Sequence, residues 1–355
     1  MKAIIQSKKL RVLLFLVFIL SGCSKAIALS TPNSDNQMSN ETAQETRTAP
    51  LAFLNLQKPD DAGIVIFHEA DEEIAYDWFS YIPNSLNVSE KNFIWVTGLH
   101  GNLITDDYQQ IVDETRSQIE WRTRLAEKYK LVIITPVIPR PETNNVYVVS
   151  IPHYVFLSDT PSFLQRPDEK LNLMIDVLLQ ELRDEGVMMH DKVFIDGFSA
   201  GGMFAQRYAL LQPDRVQAMA AGQCGGAITL PVADYDSEKL QWPVGISDYS
   251  LLLGRDFDFE SYKKIPQFIY IGDLDNNNST LWGTGEMWRT QEQLDFLNNT
   301  FGDTDPIRIQ NEVAYLNGNG FSNIRFKMYP NVPHQMTEQS INGVMSFFNS
   351  YRSDR

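Results

Sequence analysis

Two hydrophobic patterns alternate along this chain. Short runs rich in β-branched and aromatic residues recur between longer stretches with an apolar residue every three or four positions. The clearest short runs are Phe93-Ile94-Trp95-Val96-Thr97, ending at Gly98, and Leu131-Val132-Ile133-Ile134-Thr135, stopped by Pro136. Val193-Phe194-Ile195, Ala218 to Gly222, Gln267 to Ile271 and Ile324 to Tyr329 follow the same pattern. Each reads as a buried strand. Gly63 to His68 and Asp77 to Ile82 read as two opening antiparallel strands. Ile111 to Tyr129, Leu171 to Leu182 and Gln339 to Tyr351 have helical spacing, and the second is expected to start at Asp168 and stop at Gly186. Apolar strands alternating with helices predict an α/β domain with a mostly parallel central sheet and helices on both faces.

The N-terminal residues follow neither pattern. Lys2, Lys8, Lys9 and Arg11 precede an unbroken apolar run from Val12 to Leu20, too short for the about 20 residues a spanning helix needs. This reads as a signal peptide over residues 1–22. Leu20-Ser21-Gly22-Cys23 resembles the bacterial lipobox, which implies that Cys23 becomes a lipidated first residue. Residues 23–61 are rich in Ser, Thr, Asn, Gln and Pro and read as a disordered tether. The expected organisation is thus a leader (1–22), a tether (23–61) and a globular domain (62–355). It would be held by a lipid anchor at a membrane of the bacterial cell envelope, on the extracytoplasmic side.

Composition narrows the partners. At 43% hydrophobic and 21% charged residues the chain is of globular type. Its net charge of −15 disfavours nucleic acid and says little about a neutral small molecule. Of the two cysteines, acylation of Cys23 would leave Cys224 without an intrachain partner, so neither a disulfide framework nor a cysteine metal site is expected.

The chemistry sits at strand ends, where ligands bind in such sheets. Val193-Phe194-Ile195-Asp196 runs into Gly197-Phe198-Ser199-Ala200-Gly201-Gly202, and a helix-forming stretch follows. A serine on such a strand–turn–helix is lifted above the sheet, and the helix directs its first N–H groups at any anion formed there. Gly272-Asp273-Leu274-Asp275 follows the next-to-last strand, and Val332-Pro333-His334 follows the last. Serine needs a base to lose its proton, and the base needs a carboxylate to fix its tautomer.

With these motifs and Leu99-His100-Gly101-Asn102, the chain from Lys91 onward resembles α/β-hydrolase serine esterases, nearest to polyhydroxybutyrate-depolymerase, feruloyl-esterase and acetylxylan-esterase-like enzymes. The resemblance implies the α/β-hydrolase fold and ester hydrolysis through an acyl-enzyme. Ser199 would be the nucleophile, His334 the base and Asp275 the acid. Ala200 would supply one oxyanion N–H and Asn102 the other, with Leu103 as an alternative because the His-Gly turn departs from the family's usual forms. It implies no metal and no organic cofactor, and a small-molecule or polymeric ester as substrate. A prolyl-oligopeptidase-like peptidase has the same chain order of residues, and a binding module could keep the fold without the reaction.

Other residues have plainer readings. Asp273 competes with Asp275, which the Gly-x-x-Asp spacing favours. Asp196 reads as structural and Cys224 as a small buried thiol. His68 and His190 read as surface residues, His100 as part of its turn, and His153 as part of a packed loop or the cleft wall. Two inserts, Pro136 to Gln165 and Asn276 to Arg308, are expected to overhang Ser199. Tyr147, Tyr154, Phe156 and Phe163 in the first, and Trp282, Trp288, Phe296 and Phe301 in the second, would stack on a substrate ring or form a small lid core.

Overall fold

In a computed structural model of the chain, residues 63–99, 103–140, 148–277 and 290–352 are described. The leader, Cys23 and the tether, together with His100, Gly101, Asn102, Tyr147, Trp282 and Trp288, lie outside the described residues.

The chain opens with an antiparallel pair, β1 (Ile64–His68) and β2 (Trp78–Ile82). Then come β3 (Phe93–Leu99), α1 (Tyr108–Glu120), α2 (Thr123–Tyr129) and β4 (Leu131–Pro136). The central unit is α3 (Pro167–Asp184), β5 (Val193–Phe198), α4 (Ala200–Leu211) and β6 (Val216–Gly222). A small hairpin, β7 (Asp234–Tyr235) and β8 (Glu238–Lys239), and two short helices, α5 (Tyr249–Leu253) and α6 (Phe259–Lys264), lead to β9 (Gln267–Gly272). The described chain closes with α7 (Gln291–Phe301), α8 (Asp305–Gly318), β10 (Ile324–Tyr329) and α9 (Glu338–Asn349).

Eight strands form one sheet in the order β1-β2-β4-β3-β5-β6-β9-β10. β2 is antiparallel to both of its neighbours, and every pairing from β4 to β10 is parallel. Alternation along the strands divides the core into two layers. Ile94, Val96, Val132, Ile134, Ile195 and Ile269 face α3, α4 and α8. Phe93, Trp95, Ile133, Phe194, Phe268 and Tyr270 face α1 and α9 in a layer rich in aromatic side chains. Both faces are therefore covered, which is why the strands read as continuous apolar runs.

Some expectations need correction. The predicted helix from Ile111 to Tyr129 is two helices. Arg122 is buried, and its guanidinium donates to the Gln118 carbonyl at 2.6 Å. That is the acceptor a continuing helix would offer to the Arg122 N–H, which bonds Ile119 O at 3.0 Å instead. The helix expected from Asp168 starts one residue earlier, at Pro167. Asp168 lies in the first turn, buried, and accepts from Arg166 at 2.9 and 2.7 Å and from Gln212 at 2.8 Å. His68 is not a surface residue: only 3% exposed, it stacks on Trp78 at 3.6 Å and its Nε2 lies 2.8 Å from Ser80 Oγ. His190 is half-buried and stacks on Phe93 at 3.8 Å.

Glu127 of α2 ties the sheet edge to the helical layer. Its carboxylate accepts from Tyr81 OH at 2.7 Å, from the N–H groups of Asn84 and Ser85 at 3.0 Å, and from Gly63 N–H at 3.2 Å. Burial pulls the carboxyl pKa upward, and the bonds from Tyr81, Ser85 and Asn84 more than reverse this, so it lies below its ordinary value. A depressed folded pKa contributes stability above the unfolded value, and that contribution is lost as pH falls through the folded value. Glu127→Gln should therefore destabilise the fold at pH 7, by about 1 kcal/mol or less once solvent screens the partly exposed carboxylate, and less so in acid. Melting curves at pH 7 and pH 3 check this, and an equal loss at both would remove the charge from the explanation.

Candidate active site

Three strand ends converge on one point. β5 ends at Phe198, and Ser199 turns the chain into α4 with φ 56° and ψ −122°. A side-chain-bearing residue is rarely found there, and such a conformation costs about 1–3 kcal/mol. The turn is held by Ser199 N–H to Gly222 O at 2.8 Å and by Met203 N–H to Ser199 O at 3.1 Å. A Cβ on Gly197 would lie 1.9 Å from Gly201 O, so the strand and helix approach this closely only through glycine. Ala200 is the first residue of α4, and its N–H belongs to the first helical turn, where no intrahelical carbonyl is in reach.

The loops after β9 and β10 are joined by main-chain bonds. Asp273 N–H donates to Tyr329 O at 3.0 Å, and Leu274 N–H donates to Val332 O at 3.1 Å. A Cβ on Gly272 would meet Val332 O at 2.0 Å, so this glycine too permits a close backbone contact. Joined in this way, the loops bring Asp275 and His334 together. His334 Nδ1 lies 3.0 and 3.1 Å from the two Asp275 carboxylate oxygens, and its Nε2 lies 3.0 Å from Ser199 Oγ. The Asp275 side chain is 2% exposed and that of His334 21%, so the carboxylate is shielded while the imidazole edge remains open. Asp273, by contrast, is exposed and accepts a long bond from Val332 N–H at 3.4 Å.

Around this constellation the other candidates separate. Asp196 turns into the aromatic layer, where Trp95 Nε1 donates to it at 2.6 Å. Burial pushes its carboxyl pKa up, against the pull of Arg122, Thr97 and Trp95. Cys224 is buried, and burial pushes its thiol up to about 12, so it is no thiolate at neutral pH. His153 Nε2 lies 3.4 Å from Asp248 Oδ2, which ties it into its loop. Leu103 is half-buried and packs against the aromatic layer.

Among the described residues, four of the insert aromatics pack against the core or one another. Tyr154 and Phe156 lie against the core, Phe156 edge-on to Trp242 at 5.5 Å, and Trp242 Nε1 donates to Ile151 O at 2.8 Å. Phe163 is 49% exposed. Phe296 and Phe301 pack edge-on against Tyr235 at 5.5 and 5.7 Å. The second insert has no boundary at Arg308, because α8 runs straight through it. There the buried guanidinium bonds Gly226 O at 2.7 Å, Asp305 at 2.9 Å and Gly302 O at 2.9 Å.

Two neighbours of the imidazole were not foreseen. Phe198, the variable residue before Ser199, lies against the His334 ring at 5.1 Å. Asn277 places its Nδ2 3.0 Å from His334 Nε2. In the run Asn276-Asn277-Asn278 nothing marks the middle residue, and only the turn after Asp275 singles it out.

This sheet order, with helices on both faces and the three residues at strand ends, is the α/β-hydrolase fold. Among solved structures the chain is similar to poly(aspartic acid) hydrolase-1 from Sphingomonas sp. KT-1, with TM-score 0.53, 16% identity, and 81% of this chain and 97% of that one covered. It is similar also to a poly(3-hydroxybutyrate) depolymerase from Bordetella parapertussis, with TM-score 0.53, 16% identity, and coverage of 82% and 91%. At this identity the likeness is one of fold. No protein-family model matches the chain, and no curated protein matches it in sequence.

Proposed function

We propose that this protein is a serine hydrolase that cleaves carboxylic esters through an acyl-enzyme. The observation that carries the reading is the relay from Ser199 Oγ to His334 Nε2 at 3.0 Å and from His334 Nδ1 to Asp275 at 3.0 Å. Ser199 Oγ attacks the ester carbonyl carbon as its proton passes to Nε2. The carbonyl oxygen takes the negative charge and receives the Ala200 N–H and the positive end of α4. Collapse of this intermediate breaks the bond to the alcohol oxygen, which leaves with the proton from Nε2. Water then repeats the sequence on the acyl-enzyme and releases the acid. Asn102 is the candidate second oxyanion donor, with Leu103 as the alternative. That both fold neighbours are named for hydrolysis of polymers agrees with hydrolysis as the reaction class.

A fluorophosphonate probe tests the reading: the full chain should be labelled at Ser199, mapped by peptide mass, and should turn over a p-nitrophenyl ester. A folded chain that takes no label would instead be a binding module.

The leader reading adds a location. Cys23 is proposed as the acylated residue that anchors the catalytic domain to a cell-envelope membrane. A metabolically supplied labelled fatty acid should enter the parent chain and not Cys23→Ala. An unlabelled parent chain would leave plain secretion.

A further inference from the structure

His334 Nε2 has two neighbours at the same distance: Ser199 Oγ at 3.0 Å and Asn277 Nδ2 at 3.0 Å. Asn277 is fastened on the far side of the ring as well, its own N–H donating to Asp275 Oδ1 at 3.0 Å. The residue therefore spans the imidazole, with its main chain on the carboxylate that holds Nδ1 and its side chain on Nε2.

The tautomer decides what this contact is. With the Nδ1 proton given to Asp275, Nε2 is an acceptor with one lone pair in the ring plane. A carboxamide facing it must present N–H, because the opposite orientation sets two lone pairs against each other. Two donors, the Ser199 hydroxyl and the Asn277 amide, then compete for one lone pair. Proton transfer from Ser199 needs that lone pair. Once Nε2 carries the proton, the amide N–H faces another N–H, so the carboxamide must withdraw or turn its oxygen to the ring. A leaving-group oxygen that is to receive the proton must also come within hydrogen-bond reach of Nε2, and this is the place the carboxamide holds.

We propose that the Asn277 carboxamide occupies the leaving-group position of the resting site and restrains the base, so that a substrate works only by displacing it. This rests on reading Ser199 and His334 as nucleophile and base. The alcohol part of the ester, which enters beside Nε2, is then the part that competes with Asn277, whereas the acyl part is bound on the other side of Ser199. Asn277 thereby sets selectivity for the alcohol. Alkyl esters, whose alkoxide leaves poorly without a proton, suffer more from a restrained Nε2 than aryl esters do.

Asn277→Ala removes the side chain and keeps the main-chain N–H on Asp275. Asn277→Leu keeps the bulk and removes the donor. Both should take fluorophosphonate label about 3- to 10-fold faster than the parent chain, the range of one hydrogen bond's net worth. The gain in kcat/KM should be larger for ethyl acetate than for p-nitrophenyl acetate. A residue that merely supports the loop would not raise a rate when removed. Unchanged or slower labelling in both variants, each shown folded by its melting curve, would overturn the proposal. So would acceleration by Ala with slowing by Leu, since room rather than the hydrogen bond would then be the cause. A parent chain that takes no label defeats the underlying serine-hydrolase reading instead, and that result is read before any variant is made.

Discussion

Ser199→Ala is expected to abolish covalent labelling and to lower ester turnover by about 10⁴-fold or more, with the melting temperature nearly unchanged. The two halves of this expectation have different causes. Ser199 is half-buried and its Oγ lies 3.0 Å from His334 Nε2, so removing one oxygen opens little space. The strain at the turn, with φ 56° and ψ −122°, belongs to any residue with a Cβ, so alanine neither adds to it nor relieves it. Ser199→Gly provides the contrast. It should be equally inactive yet more stable, because glycine adopts this conformation at little cost. Labelling, kcat and melting curves for the two variants separate chemistry from strain. Full labelling of a folded Ser199→Ala protein would move the nucleophile to another residue.

The fold was legible in the sequence because the sheet is covered on both faces. Continuous apolar runs such as Leu131 to Thr135 point to such a sheet whatever packs on it. Less legible were features set by tertiary contacts. The break between α1 and α2 depends on a buried guanidinium taking a helix carbonyl, and no periodicity announces that. His68 lies in a polar stretch of sequence, yet it stacks on the Trp78 ring of the paired strand. The serine, acid and histidine could be singled out because each follows an apolar strand, in the chain order of the α/β-hydrolase enzymes the sequence resembles. The inserts could not be resolved, since Tyr154, Phe156, Phe296 and Phe301 have the same composition whether they line a cleft or pack together. Asn277 was missed for a related reason. An asparagine two residues past an aspartate is a common turn residue, and only the closure of two loops brings its carboxamide to Nε2.

Asp275→Asn should lower kcat by roughly 10²- to 10⁴-fold with little change in KM, while Asp273→Asn should leave turnover near that of the parent. The two aspartates stand two positions apart in one loop and differ in what they face. Asp275 turns inward, both carboxylate oxygens within 3.1 Å of His334 Nδ1, its side chain 2% exposed. In the proposed reaction it would hold the Nδ1–H tautomer and offset the charge that forms on the ring as Ser199 loses its proton. An amide in its place can turn an N–H toward Nδ1, which drives the ring proton to Nε2. The lone pair that should receive the serine proton is then gone, although nothing in the loop has moved. Asp273 points outward and accepts from Val332 N–H at 3.4 Å. Exposed and weakly bonded, it should cost no more than about 1 kcal/mol on replacement, below the usual penalty for losing a buried acceptor. The decisive measurement is kcat and melting temperature for both variants side by side. Loss of turnover in the Asp273 variant, with turnover kept in the Asp275 variant, would exchange the two roles. Loss in both, with both folded, would mean that the loop acts as a unit and that the inward-facing carboxylate is not sufficient to assign the acid.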